Sequence, residues 1–253
     1  MIAVLIPAHN EASTIGACLQ SILTAASHPE LEEEVRILVA TDRCRDDTAS
    51  IARSLGAQVV EVRAPGGVGL ARAAAADQAL SLGATWLAMT DADSVVPADW
   101  LVAQRRHGAD VFCGVVEVND WQDYSAEVRE AFLKDQCALD GHTRVHGANL
   151  GVSADFYRRC GGFLPLRCSE DVALVDALVL INARIARKAQ PVVMTSARRN
   201  ARAAGGFCDF LKALEARSSI PETHRASVPD SDGMSAPDAC VPGTGQSPSL
   251  SLA

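Results

Sequence analysis

The stretch Trp86-Leu87-Ala88-Met89-Thr90-Asp91-Ala92-Asp93 decides how the chain is read. An apolar run of strand length ends in two carboxylates one residue apart. In a strand, residues i and i+2 point to the same side. Asp91 and Asp93 would therefore crowd together and repel unless something cationic sits between them. A hard divalent cation meets that need, because Mg²⁺ and Mn²⁺ prefer oxygen ligands and often share them with a diphosphate. The plainer alternative is a solvated turn leading to Ser94 and Pro97.

Working outward, the same sequence of apolar run and polar cluster recurs. Residues 2–6 form a continuous apolar run, which suits a strand buried on both faces. Residues 35–40 and 58–62 read as the second and third strands, and residues 85–90 as the fourth. The segments between them carry helical signals. Asn10 is a possible cap for a helix with Ile15, Leu19, Ile22, Leu23 and Ala26 on one face. Asp46 or Asp47 can cap a helix that carries Ile51 and Leu55 and stops at Gly56. The loop Pro65-Gly66-Gly67-Val68-Gly69 leads into an alanine-rich helix ending near Gly83.

This order predicts an α/β fold, with a mostly parallel central sheet and helices on both faces. Ligands in such sheets bind beyond the carboxyl ends of the strands. Four polar clusters fall there: residues 7–11, 41–47, 63–72 and 90–94. They are expected to converge on one crevice. Further along, residues 99–107 and 127–138 read as helices, residues 111–118 as a strand and residues 147–152 as a short strand. A small helix then leads to the turn Gly161-Gly162. Residues 171–188 read as a helix and residues 191–195 as a strand.

Composition bounds the function. Of the 253 residues 48% are hydrophobic and 21% charged, ordinary for a globular chain with a sizeable core. A formal net charge of -8 argues against a nucleic-acid partner, which calls for a basic face. Local arginines can still hold a phosphate on an acidic protein. The eight cysteines form no Cys-x-x-Cys pair, and the six histidines complete no zinc spacing. Free thiols in a reducing cytoplasm are expected. The opening residues lack a basic region and break at Pro7, so no signal peptide is expected. The longest apolar run, residues 172–181, is too short to span a bilayer and contains Asp176.

Each candidate site residue has a plain role beside a chemical one. Glu11 can complement a helix dipole or serve a ligand. Asp42 can be a turn residue or accept a hydrogen bond from a nucleobase N–H. Arg72 lies in the first turn of the alanine-rich helix, where a cation opposes the dipole. A phosphate held by that helix end would explain it, and so would a solvated surface position. The pair Glu170-Asp171 can simply cap a helix behind Ser169, or one of them can act as a general base. Arg198, Arg199 and Arg202 form either a solvated turn or a second clamp for a diphosphate. Gly67-Val68-Gly69 lacks the third glycine of a dinucleotide fingerprint and follows the third strand rather than the first, so a Rossmann dehydrogenase is discounted.

Taken together, Pro7-Ala8-His9-Asn10-Glu11, Asp42 with Asp46-Asp47-Thr48, Gly69-x-x-Arg72 and Asp91-Ala92-Asp93 resemble the nucleotide-binding half of family 2 glycosyltransferases. Gly147-Ala148-Asn149-Leu150 with Gly161-Gly162-Phe163 is similar to the acceptor-side segment. Glu170-Asp171 resembles the family's acidic pair. The resemblance runs from residue 1 to about residue 210. It implies a GT-A fold, a nucleotide-diphosphate-sugar donor, Mg²⁺ or Mn²⁺, and inversion at the anomeric carbon. It also implies site roles: Pro7, Ala8, Asn10, Glu11, Asp42, Arg72, Asp91 and Ala92 toward the nucleotide sugar, Asp93 toward the metal, and Asp171 as base with Glu170 beside it. The family's Asp-Asp-Gly-Ser is Thr41-Asp42-Arg43-Cys44 here, which leaves the donor base open.

The expected function is transfer of a sugar to an acceptor hydroxyl, with the acceptor a glycan, a lipid or a small molecule. Two rivals are a sugar-nucleotide nucleotidyltransferase and a non-catalytic nucleotide-binding protein of the same fold. The nucleotidyltransferase needs a glycine-rich, Arg-containing loop after the first strand, and Pro7-Ala8-His9-Asn10 is not that. A cytoplasmic location is expected, with a peripheral place at the inner membrane face if the acceptor is a lipid.

The expected transferase domain is residues 1–217. Residues 218–253 hold five of the 11 prolines, many serines and no aromatic residue, and are read as a disordered tail that cannot bury enough apolar surface to fold. Deleting residues 218–253 is therefore expected to leave the melting temperature and nucleotide-diphosphate binding unchanged. A large fall in melting temperature would mean the segment docks on the domain.

Overall fold

Residues 2–6 of strand β1 (Ile2–Ala8) have no solvent exposure, and their alternation builds two cores at once. Ile2, Val4 and Ile6 face one layer, where Ile15, Leu19 and Ile22 of helix α1 (Ile15–Ala26) pack with Trp100 and Leu101 of α4 (Trp100–Arg106). Ala3 and Leu5 face the other. There Ala71, Ala75 and Ala79 of α3 (Val68–Ser81) meet Leu174, Val175 and Leu178 of α7 (Glu170–Leu180). The alanines keep α3 thin enough to lie close to the sheet. This computed structural model describes residues 1–118, 120–135, 139–199 and 205–218.

The remaining elements follow in chain order: β2 (Val35–Asp42), α2 (Thr48–Ser54), β3 (Gln58–Val62), β4 (Trp86–Met89), β5 (Val111–Val118), α5 (Ala126–Asp135), β6 (Leu150–Ser153), α6 (Ala154–Arg159), β7 (Ile185–Thr195) and α8 (Phe207–Ser218). The sheet has seven strands in the order β3-β2-β1-β4-β6-β5-β7. Strands β1 to β4 pair in parallel, while β6 runs antiparallel to both β4 and β5. The parallel half matches the expectation, and the first four polar clusters do lie at the carboxyl ends of its strands.

Several local readings change. Helix α1 starts at Ile15 behind Thr14, not at Asn10. Asn10 instead adopts φ 55°, and its side-chain oxygen accepts from the Arg45 N–H at 2.8 Å. Residues 147–149 form a 3₁₀ turn before β6 rather than strand. The helix read over residues 171–188 stops at Leu180. Asn182 takes φ 57°, and the chain re-enters the sheet at Ile185 as an edge strand beside β5. An apolar run of helix and strand joined by a short polar turn has no period break to separate them.

Helix α8 was not foreseen. With α5 it forms a satellite core in which Phe132, Trp121, Leu211 and Leu214 pack under Val118 and Ala197. Among the described residues, no helix is long and apolar enough to cross a membrane.

Asn149, just before β6, ties that segment to β5, β7 and α4. Fully buried, its amide donates to the carbonyls of Val115 and Pro191, each at 2.9 Å, and its oxygen accepts from the Trp100 indole at 2.9 Å. Asn149→Ala would leave those three groups unpaired. At roughly 1–3 kcal/mol for each buried group left unmade, stability in urea unfolding is expected to fall by about 3 kcal/mol or more.

Candidate functional site

The loops after β1 and β2 are laced together. The Glu11 N–H donates to the Thr48 hydroxyl at 2.8 Å and the Ala12 N–H to Asp46 at 3.0 Å. Asp46 also accepts from the Thr48 N–H at 3.1 Å, while Asp47, at the N-cap of α2, makes no side-chain capping bond. The Cys44 thiol donates to the Ala8 carbonyl at 3.3 Å, and His9 Nδ1 lies 2.5 Å from the Asp42 carbonyl. Ala8 thus contributes its carbonyl at the end of β1, the strand that also carries Pro7.

Asp42 is nearly buried, and both of its oxygens are engaged. Oδ1 accepts from Arg43 Nε at 2.8 Å and Oδ2 from the Gly67 N–H at 2.8 Å. Burial pushes its pKa up, but the Arg43 and Gly67 hydrogen bonds outweigh it and hold the carboxyl below its ordinary value. The expected base-reading carboxylate therefore fastens the β2 tip to the glycine loop before α3.

Arg72 lies at the centre of the site. Its side chain is 2% exposed, neither a surface arginine nor, as placed, a contact for a diphosphate. One terminal nitrogen donates to Asp91 Oδ1 at 2.6 Å and the other to Glu170 Oε1 at 2.6 Å. The guanidinium also lies 5.9 Å from the centre of the Phe163 ring. Burial pushes its pKa down, but the charges of Glu170 and Asp91 outweigh that and hold it above its ordinary value. Two glycines admit this arrangement. A Cβ on Gly147 would overlap the Arg72 guanidinium, and one on Gly69 would overlap the backbone of Leu164 and Leu166. Glu170 is held above the ordinary carboxylate range, chiefly by burial, with Arg72 opposing and Asp171 adding.

Asp171, partly exposed, points to the other side. Its Oδ2 accepts from the Gly147 N–H at 2.7 Å and its Oδ1 from the Val172 N–H at 2.9 Å. Each oxygen keeps a lone pair for a further donor.

Asp93 and Glu11 share a second arginine. Arg198 lies 2.7 Å from Glu11 Oε2 and 3.2 Å from Asp93 Oδ2. Asp93 is pushed up to about 6, by burial first, with Arg198 opposing and the charges of Asp91 and Glu11 adding. Ala92 is packed in the core, and the Asp91 carbonyl accepts from the Cys18 thiol at 3.3 Å. The basic patch expected at Arg198, Arg199 and Arg202 divides. Arg199 turns away to Asp123 and Glu215 and lies 4.0 Å over the Tyr124 ring, while Arg202 falls outside the described residues. The Arg198 bridge to Glu11 spans 187 residues, and no local spacing could have disclosed it.

The donor chemistry fits a hard divalent cation, since Glu11, Asp91 and Asp93 offer carboxylate oxygens. Among the described residues, no three acidic, histidine or cysteine side chains stand gathered as a metal shell. Arg72 and Arg198 already engage these carboxylates.

The sequence profile described as "Glycosyl transferase family 2" matches residues 3–159. No curated protein matches the chain in sequence. Among solved structures, the chain is similar to residues 1–349 of Staphylococcus aureus TarS in complex with UDP-GlcNAc. The TM-score is 0.57 at 17% identity, covering 88% of this chain and 68% of that one. It is also similar to glucosyl-3-phosphoglycerate synthase from Mycobacterium tuberculosis in complex with Mn²⁺, UDP and phosphoglyceric acid. There the TM-score is 0.54 at 20% identity, covering 88% and 80%. A third is the mannosyltransferase PcManGT from Pyrobaculum calidifontis with GDP-Man and Mn²⁺, with a TM-score of 0.56 at 15% identity, covering 86% and 73%. These likenesses establish the GT-A fold.

The Arg72 clamp can be tested by a double-mutant cycle. Removing one partner of a buried ion pair costs about 3–5 kcal/mol, so Arg72→Gln is expected to lower unfolding stability by that order. Adding Glu170→Gln removes one uncompensated charge and should recover part of the loss. A neutral Arg72→Gln would mean the cluster carries no net strain of charge.

Proposed function

Because the chain belongs to glycosyl transferase family 2, we propose that it moves a sugar from a nucleotide-diphosphate sugar to an acceptor hydroxyl, with inversion at the anomeric carbon. The observation that carries this reading is the Arg72 bridge, which draws Asp91 at the tip of β4 to Glu170 at the start of α7. Asp91 belongs to the half expected to hold the nucleotide. Glu170 is the neighbour of Asp171, the residue suited to the acceptor.

In this reading Asp171 accepts the proton of the acceptor hydroxyl. The acceptor oxygen attacks the anomeric carbon from the face opposite the diphosphate, forming the new glycosidic bond. The bond from that carbon to the diphosphate oxygen breaks, and the nucleoside diphosphate leaves with the electron pair. Glu170 is too closely held by Arg72 to be the first choice of base, and its part is to position. Asp93, with Asp91 and Glu11 beside it, would hold Mg²⁺ or Mn²⁺. Bound there, the cation would neutralise charge developing on the leaving diphosphate. Asp42, Arg43 and the loop of Asn10 would frame the nucleoside. The M. tuberculosis synthase is in complex with UDP and Mn²⁺ and the P. calidifontis mannosyltransferase with GDP-Man and Mn²⁺, which supports carrying the same pairing to this chain. The acceptor is left as a hydroxyl compound.

The test compares Asp171→Asn and Glu170→Gln with the wild type, using calorimetric binding of nucleoside diphosphates with and without Mn²⁺ as control. Loss of a general base costs roughly 10²–10⁴-fold in rate. Asp171→Asn should show that loss with donor affinity unchanged, and Glu170→Gln a clearly milder one. Normal turnover by Asp171→Asn would remove it from the reaction, and failure of the wild type to bind any nucleoside diphosphate would remove the transferase reading.

A further inference from the structure

Two buried carboxylates and one arginine define an arrangement the transfer reaction itself does not explain. The side chains of Glu11 and Asp93 are 5% and 11% exposed, and Arg198, at 26%, is the cation placed against both. Carboxylates taken out of water need a positive partner. Here that partner comes from the loop that follows β7, far along the chain from either acid. Among the described residues, the other charges facing the same place are Asp91, which adds negative potential, and Arg72, which is already committed to Asp91 and Glu170. Thr14 gives Glu11 a further donor at 3.0 Å, so Glu11 keeps its orientation without Arg198.

We propose that Arg198 is the resident counter-cation of the donor site. Its guanidinium holds Glu11 and Asp93 in the nucleotide-free protein and competes with a divalent cation for the Asp93 carboxylate. This rests on the reading of Asp93 as the metal-binding acid. A guanidinium does not deprotonate in a protein. It can leave Asp93 only by moving, and a metal must therefore displace a bonded charge rather than enter a waiting cage. Arg198 is thereby a positioning residue that sets how tightly the protein alone takes up metal.

The experiment titrates Mn²⁺ into the protein alone and follows free Mn²⁺ by electron paramagnetic resonance. Wild type, Arg198→Gln, Arg198→Lys and the double variant Arg198→Gln/Asp93→Asn are compared, with circular dichroism to verify folding. A charge about 3–4 Å from a carboxylate that is poorly solvated carries a competing interaction worth at least a factor of ten. Arg198→Gln is expected to bind Mn²⁺ about tenfold tighter or more than wild type. Arg198→Lys keeps the charge but cannot fork to both acids, so it should fall between. The double variant should lose the gain. If neither Arg198→Gln nor Arg198→Lys binds Mn²⁺ more tightly than wild type, Arg198 is no competitor and the inference fails. It fails equally if the gain survives Asp93→Asn. Calorimetry of nucleoside diphosphates on the wild type in the presence of Mn²⁺ reports on the transferase reading separately. Intact nucleotide binding beside unchanged Mn²⁺ affinity sinks only the role given to Arg198.

Discussion

A guanidinium buried to 2% exposure is the constraint on which this site depends. Arg72 cannot lose its proton, and it cannot remain charged in the interior without carboxylates against it. It therefore fixes Asp91 and Glu170 within hydrogen-bond reach on either side, although 98 residues separate Arg72 from Glu170. Everything around it yields to that requirement. Residue 147 can have no side chain, the Phe163 ring lies beside the guanidinium, and the first turn of α7 is fixed against α3. Such a cluster is weak as a source of stability. Its effect is positional, since the two ion pairs hold β4, α3 and α7 to one another.

Among the ion pairs of the described residues, the charge count of the site is unequal. Arg72 and Arg198 face four carboxylates: Asp91, Glu170, Glu11 and Asp93. The acids that burial affects most feel the imbalance. Asp93 is lifted to about 6, and Glu170 also lies above its ordinary range. A protein that leaves negative charge unneutralised at the carboxyl ends of parallel strands favours a cation there. It also disfavours a bare anionic ligand arriving without one. This is the electrostatic logic by which a divalent ion and a diphosphate would enter together, each offsetting what the other lacks.

Much of the parallel half was legible from residues alone. Continuous apolar strands, a helix starting behind a polar turn and a glycine-rich loop each carry their own local signal, and β3 and β5 appear with the bounds expected. The second half was harder for a physical reason. An edge strand such as β7 is half-buried and carries Arg187 and Lys188, so its first residues read as the end of an amphipathic helix. Helix α8 is amphipathic only toward a partner, α5, that the sequence does not identify. Site residues divided in the same way. Glu11, Asp91 and Asp93 were visible because they punctuate strands. That Arg72 would be buried, that Asp42 would have both oxygens engaged and that Arg198 would reach back across the fold are tertiary facts, invisible to spacing.

The clamp also discriminates between two adjacent acids. Consecutive helical residues point about a hundred degrees apart, so Glu170 and Asp171 cannot both face the same group. Arg72 takes Glu170 inward, leaving it buried and charge-paired. Asp171 is then turned toward the Gly147 amide, at the entrance of the segment that carries Asn149 into the sheet, with partial exposure. An acid that must accept a proton from an arriving hydroxyl needs a free lone pair and access, and it must not give up an ion pair to do so. Glu170 would have to abandon Arg72 and leave it uncompensated, whereas Asp171 would give up nothing. The burial of one arginine thus favours the role of base for the acid it does not touch.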